Sequence, residues 1–379
     1  MFWTGSSILP HLHQRIRCPV GRRRNLALTF RAMLDLAGSR SGIDPDLELE
    51  PAYARHGEPM APATPNPPSA SLRLDWLLFV LLGFLWGSSY LFIKIGVDAG
   101  LQPFTLVTLR LLVGFALLAV VVAAAREQLP RSLRTYGHLL VMAAFSVALP
   151  FSLITWAEQS VDSTLASVLN GAVPLFVIVI AAIFLRDEPI SINRLVGLAI
   201  GFLGVAILVG FDPADLVGGD LTAKVALIGS SVSYAVGAVY ARRMVHGLRP
   251  MIPAVFQVAF ALVMVGLLAL TFERPFTVPM RPDAILAIVW LGLLGSGAAY
   301  LVFFRLLGRW GATRTSLVAY LLPVFGIVLG AVVLSEEIDA GLVVGTALVI
   351  GGIALVNARW GSRPLFGQRA RASVAKPGG

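Results

Sequence analysis

The chain has 379 residues, of which 57% are hydrophobic and only 13% charged, with a mean hydropathy of +0.80 and a formal net charge of +9. A soluble domain carries about 25% charged residues, and most of its exterior must tolerate water, so a soluble enzyme, a disordered chain and a nucleic-acid-binding domain are excluded. One cysteine, Cys18, rules out a disulfide framework and a cysteine-based metal site.

Residues 1–73 read as a disordered N-terminal extension and linker. The first 34 residues hold Arg15, Arg17, Arg22, Arg23, Arg24 and Arg31 and no acid. An acidic cluster follows, then the Pro/Ala stretch from Met60 to Pro68, which cannot pack a core. No signal-peptide core follows the first basic residues. The arginine-rich start faintly resembles an organellar transit peptide; the preferred expectation is Met60 as the true initiator.

From Trp76 onward, apolar runs of membrane length alternate with short polar breaks. About 20 apolar residues cross the hydrocarbon core as a helix. Ten spans are predicted: 76–97, 103–124, 138–157, 163–185, 195–211, 222–241, 252–271, 284–304, 315–334 and 341–358. The runs are continuous rather than alternating, which favours helices over a barrel. With the residues before the first span cytoplasmic, the inside segments carry 17 Lys and Arg. The outside segments carry three, Lys224, Arg274 and Arg281. This bias predicts cytoplasmic termini.

The chain also repeats itself. Thr164, Ser167, Pro174, Phe176 and Glu188 recur as Thr313, Ser316, Pro323, Phe325 and Glu337, each at an offset of 149. Pro103 recurs as Pro253, and Ser89-Tyr90 is echoed by Ser233-Tyr234. The expected fold is therefore an all-α integral membrane protein of ten transmembrane helices in two five-helix repeats. Residues 74–211 form the first repeat, 212–220 the connecting loop, 221–358 the second repeat, and 359–379 a basic cytoplasmic tail. Five is odd, so the second copy enters from the opposite side. Such inverted repeats build many secondary transporters, with the site near the midplane where interrupted helices meet. The matching breaks are at Pro174 and Pro323, where a missing N–H frees a carbonyl in the preceding turn. Simple packing kinks are the other reading.

Several of these stretches carry a family resemblance. Trp86-Gly-Ser-Ser-Tyr-Leu-Phe-Ile-Lys94, Pro103 with Leu109-Arg110, Pro174 with Glu188 and Pro323 with Glu337 resemble the signature of EamA-type transporters of the drug/metabolite transporter superfamily. The resemblance spans residues 74–358. It implies ten helices in two five-helix repeats and efflux or exchange of small metabolites such as amino acids.

Polar groups inside the spans give the candidate site. A charge near the bilayer centre costs at least about 2.5–3.5 kcal/mol and so usually faces the bundle interior. Arg110 either binds an anionic substrate group or gates by pairing with an acid; pairing with freed carbonyls, or snorkelling, is the alternative. The uncharged cavity candidates are Trp86, Ser89, Tyr90, Thr155, Trp156, Ser167, Asn170, Ser233, Tyr234, Tyr300, Ser316 and Tyr320. Each hydroxyl can equally serve as glue between helices. Lys94, Glu158, Glu188 and Glu337 are candidates for gates or ion pairs, with Glu158 and Asp162 as partners for Lys94. Gly197-x-x-x-Gly201, Gly326-x-x-x-Gly330 and Gly341-x-x-x-Gly345 allow close helix approach, within the monomer or at a homodimer face.

No H-E-x-x-H, nucleotide P-loop or Cys/His cluster is present, so no enzyme activity, cofactor or metal is expected. The expected partners are the lipid bilayer and a small-molecule substrate, with no nucleic acid. The expected function is a secondary transporter in a bacterial inner membrane, exporting small polar metabolites by alternating access. A passive facilitator or channel and a non-transporting structural subunit are the alternatives. No acid lies mid-span, so proton coupling stays open, and any carrier would use the outer acids.

Overall fold

The computed structural model describes residues 69–184, 190–210, 220–245, 248–273, 278–357 and 364–366. The extension up to residue 68, Met60 included, lies outside the described residues, as do Glu188, most of the connecting loop and nearly all of the basic tail. The described chain is helical apart from one short antiparallel pairing of Ile190–Ser191 with Pro364–Phe366.

The first five helices are α1 (Ser69–Asp98), α2 (Pro103–Ala124), α3 (Leu133–Ala157), α4 (Ser163–Phe184) and α5 (Ile192–Val209). The next two are α6 (Asp220–Met244) and α7 (Met251–Phe272). Helix α8 runs through Pro282–Val289, Trp290–Ala298 and Ala299–Thr315, and α9 is a 3₁₀ turn, Ser316–Tyr320, continued by Leu321–Val333. Helix α10 is Ala340–Asn357. Eight helices, α1 to α8, are long and apolar enough to cross a membrane; α9 and α10 are shorter apolar helices. Large apolar side chains point outward all round, among them Leu77, Phe272 and Val332, which are 65%, 74% and 76% exposed. A water-facing surface would not carry them in such density, whereas lipid solvates them. The protein is a multi-pass membrane protein.

Local chemistry sets the helix ends. Gly100 takes a left-handed φ of +94° in the turn between α1 and α2, which an L side chain rarely adopts. Pro103 and Pro282 open α2 and α8, where a missing N–H costs nothing. Helix α8 continues well past the predicted end at residue 304. The hydropathy pattern marks where the apolar span ends, not where the helix does. The extra turns carry Arg309, whose Nε donates to the buried Asp75 carboxylate of α1 at 3.1 Å.

The packing follows the repeat. Helix α2 packs on α7, α4 on α9, and α5 on α10; α1 packs on α8 and α9 as α6 packs on α3 and α4. The pairing of α2 with α8 recurs as that of α7 with α3. Adding five to every label carries this pattern onto itself. The tightest seam joins α5 to α10. A Cβ added at Gly197 would lie 2.6 Å from the Gly352 carbonyl oxygen, and one at Gly204 would lie 2.7 Å from that of Gly345. Gly326 and Gly330 make a similar approach to Ser167 and Thr164 of α4, whereas Gly341 meets only Asp339 of its own chain segment.

Two π-helical stretches interrupt the bundle, Ala144–Ala148 in α3 and Trp290–Ala298 in α8. The repeat offset carries the first onto residues 293–297, inside the second. Such widened turns recur at functional sites.

The bundle has two ends. The distal end gathers Asp98, Pro103, Glu158, Ser163, Glu273 and Glu336. At the proximal end Arg309 meets Asp75, Arg249 Nη1 meets Glu127 at 3.0 Å, and Arg243 Nη1 donates to the Phe184 carbonyl at 3.4 Å.

Candidate functional site

Helix α4 breaks at its middle. It ends at Gly171, turns at Ala172 and restarts at Val173, just ahead of Pro174. Proline supplies no N–H to the preceding turn, and serines of α6 make polar contacts beside the break. Ser231 Oγ lies 3.1 Å from the Leu169 carbonyl and 3.2 Å from Asn170 Oδ1. Ser230 Oγ donates to the Leu227 carbonyl at 2.7 Å and lies 3.4 Å from the same Asn170 oxygen. Across the bundle, Pro323 packs on Gly171, where an added Cβ would lie 2.6 Å from Pro323 Cγ. The two proline-interrupted helices therefore cross at their breaks.

Asn170 carries the site inward. Its Nδ2 donates to the Tyr90 hydroxyl of α1 at 2.6 Å. Arg110 of α2 is only 3% exposed. Its Nε donates to Ser296 Oγ at 3.3 Å, inside the π-helical stretch of α8, and its guanidinium carbon stands 4.2 Å from the centroid of the Phe151 ring. Gly295 leaves room here, since an added Cβ would meet Ser89 Oγ at 2.9 Å and Arg110 Nη2 at 3.5 Å. Tyr90, Tyr234, Tyr300 and Glu158 all lie within electrostatic reach of Arg110. Tyr234 sits edge-on to Phe151 at 6.5 Å, and Trp86 edge-on to Tyr300 at 6.2 Å. The result is a buried cation in an aromatic and hydroxyl-lined cluster, drawn from α1, α2, α3, α4, α6 and α8.

Of the sequence-predicted residues, Trp86, Ser89, Tyr90, Arg110, Asn170, Tyr234 and Tyr300 come together here. Ser233 lies beside the cluster and donates to the Phe145 carbonyl at 2.8 Å, in the widened turn of α3. Thr155 is fully buried, and its Oγ1 has no partner among the described residues. Ser167 donates to the Thr164 carbonyl at 2.8 Å and abuts Gly326, so it serves the α4–α9 contact. Trp156 is 42% exposed and lines a lateral apolar crevice of about 440 Å³ between α2, α3 and α7, away from Arg110. Tyr320 is half-buried on α9. Ser316 opens the 3₁₀ turn, with its side chain outside the described residues.

The distal end holds a second set of polar contacts. Lys94 Nζ donates to the backbone carbonyl of Glu158 at 3.1 Å and pairs with Asp98 at 3.5 Å. Glu337 is exposed, whereas its neighbour Glu336 is half-buried and reaches α4. Glu336 Oε1 accepts from Ser163 N at 2.9 Å and Oγ at 2.7 Å; Oε2 accepts from Thr164 N at 2.9 Å and from Thr164 Oγ1. Ser335, at a left-handed φ of 59°, ends α9, and the Glu336 N–H returns to the Gly330 carbonyl at 3.2 Å. This bond closes the helix end, and it sets the carboxylate against the start of α4. Glu273 does the same for α2. Its carboxylate accepts from Phe104 N at 2.8 Å, Thr105 N at 2.7 Å and Thr105 Oγ1 at 2.8 Å. A carboxylate at a helix N-terminus satisfies orphan N–H groups and faces the positive end of the dipole.

The sequence points to Ser296 only as a nucleophile without a histidine to activate it, and it does not single out Asp75, Phe151, Ser230, Ser231, Glu273 or Glu336. Asp75 and Glu273 had a usable signal, since each is an isolated acid at the edge of an apolar span. Among the described residues no cluster of His, Cys, Asp and Glu could hold a metal ion.

The model of the EamA-like transporter family matches residues 75–210 and again residues 221–358. The chain belongs to the EamA-like transporter family. The double match gives it two family repeats, and it is a membrane transporter. An uncharacterized transporter of Archaeoglobus fulgidus is 26% identical over 74% of this chain and 98% of the relative. The uncharacterized inner membrane transporter YedA of Escherichia coli K12 is 28% identical over 76% of this chain and 91% of its own length. A relative from the same strain named "Probable amino-acid metabolite efflux pump" is 26% identical over 76% of this chain and 97% of itself. A solved crystal structure matches with a TM-score of 0.55 at 22% identity, covering 75% of this chain and 98% of that one. The last likeness concerns the fold alone.

Proposed function

We propose that the protein is a secondary transporter that exports small polar metabolites bearing an anionic group, amino acids among them, by alternating access. Ten spans arranged as two inverted five-helix repeats would rock about the cluster around Arg110. The proximal end, rich in arginine, is the cytoplasmic one, which leaves both termini in the cytoplasm of a bacterial cell and the distal end outside. The observation that carries this reading is a buried guanidinium held by one aromatic ring and one hydroxyl, at the meeting of helices from both halves. A cation so deep in a bilayer protein is costly unless it has work to do, and a carboxylate would find there a charge-assisted partner and aromatic walls. The name of the efflux-pump relative supports the amino-acid class.

The test is efflux of a labelled amino-acid panel from proteoliposomes containing the wild type or Arg110→Ala. Flux of at least one amino acid, lost in the variant while its melting temperature is kept, is the expected result. Equal flux through both proteins, or none through well-folded wild type, overturns the proposal.

A further inference from the structure

Glu158 closes α3, its N–H donating to the Ile154 carbonyl at 3.0 Å. The residue is fully buried, and among the described residues neither carboxylate oxygen has a hydrogen-bond partner. The cation beside it is turned elsewhere, since Lys94 donates to the Glu158 backbone carbonyl and pairs with Asp98.

The neighbouring elements bring charge from several directions. Helix α1 contributes Tyr90, Lys94 and Asp98, α2 contributes Arg110, and the turn after α9 contributes Glu336. Asp162 stands at the N-cap position of α4, without a side-chain capping bond. Helices α6 and α7, packed along α3, carry Lys224, Tyr234 and Glu273. Glu336 and Glu273 are already bound to helix N-termini.

An ionised carboxylate without a partner in this environment would cost several kcal/mol. The neutral acid is the form that fits. Burial pushes the Glu158 carboxyl well above the usual carboxylate range; Lys94 opposes this and Glu336 adds to it.

We propose that Glu158 is a proton-binding site that locks the distal gate. With the proton bound, Glu158 stays buried and Glu336 remains fixed to α4. When the distal end opens, the O–H bond breaks, the proton passes to water, and the carboxylate takes the Lys94 ammonium in place of the backbone carbonyl. The new negative charge faces Glu336 and opposes its return to Ser163 and Thr164. Acid outside the cell would therefore hold the gate shut. The site deepens the transport reading, because it regulates access to the Arg110 cluster, but its test needs no substrate.

Val161 is buried beside Glu158 in the distal turn and serves as the reporter. In a Cys18→Ser background, Val161→Cys is labelled with a bulky maleimide in detergent across a pH series. The intrinsic thiol titration is divided out with the same label on an exposed Gln159→Cys. The corrected rate rises about tenfold per pH unit below the site's midpoint, as for one proton released on opening. In Glu158→Gln the rate is slow and flat with pH, and in Glu158→Asp the rise returns at a shifted midpoint. A pH profile unchanged by Glu158→Gln, or a wild type with no profile, overturns the proposal. Absence of amino-acid flux would instead overturn the transport reading and leave this result standing.

Discussion

The guanidinium of Arg110 lies 4.2 Å from the centroid of the Phe151 ring, one helix away. The ring face is the negative end of an aromatic quadrupole, and a desolvated pair of this kind is worth about 2 kcal/mol. Phe151 thus holds the cation on its ring face. Phe151→Leu keeps the apolar volume and removes the ring. The expected outcome is a rise of about tenfold in the half-saturating concentration for amino-acid efflux, since about 1.4 kcal/mol is a factor of ten. A melting temperature close to wild type separates this from misfolding.

Glu336 ties the turn after α9 to the first residues of α4. Hydrogen bonds to a charged group are worth about 1.5–3 kcal/mol each, and Gln keeps the shape without the charge. Glu336→Gln is expected to lower thermal stability by about 1–3 kcal/mol and to speed labelling of Val161→Cys at the distal end. Glu337→Gln, at an exposed position, should change neither measurement.

At the opposite end, Asp75 is buried and its partner Arg309 is 40% exposed. Removing the partner leaves a buried carboxylate behind, a loss of about 3–5 kcal/mol for a fully buried pair. Water around Arg309 reduces this, and Arg309→Ala is expected to cost about 1–2 kcal/mol by thermal melting. Adding Asp75→Asn should restore most of that loss. A double variant as unstable as the single would show that packing of the arginine stem, not charge, is what α8 contributes there.

Stability should also depend on pH through Glu158. In the unfolded chain glutamate titrates near about 4.3, whereas burial holds this carboxyl well above that range in the folded protein. The folded state therefore binds the proton more tightly. Its contribution is fully present below the unfolded value and is lost as pH rises toward the folded one. Melting curves from about pH 5 to about pH 9 should show the wild type losing stability relative to Glu158→Gln. Parallel curves for the two proteins would contradict this.

Much of the architecture was legible because lipid imposes simple rules. A span must be apolar and about 20 residues long, and a duplicated chain keeps its prolines and glycines in register. Arg110, Asn170 and Tyr90 could be named because polar groups stand out against such a background. What could not be read was direction and register. Trp156 and Thr155 are adjacent in sequence, yet one faces the lateral crevice and the other is fully buried. The repeat aligned Glu337 with Glu188, but the left-handed turn at Ser335 presents Glu336 instead. The widened turns of α3 and α8 change the helical register; Pro150, which cannot donate to the Ser146 carbonyl, stands just after the first, and the second contains no proline. Ser296 meets Arg110 from within the second stretch, and Phe151 from just after the first.

The seam of α5 with α10 bears on how the sequence can change over time. In most helix contacts a larger residue on one side can be offset by a smaller one on the other. Here the nearest atoms to Gly197 and Gly204 are backbone ones, the carbonyl oxygens of Gly352 and Gly345, followed closely by the nitrogens of Val356 and Val349. No amino acid is smaller than glycine, so no second substitution across the seam can make room for the first. These positions have no escape route through compensation. Both copies of the repeated unit carry glycine on this line, and the backbone contact demands it on each side.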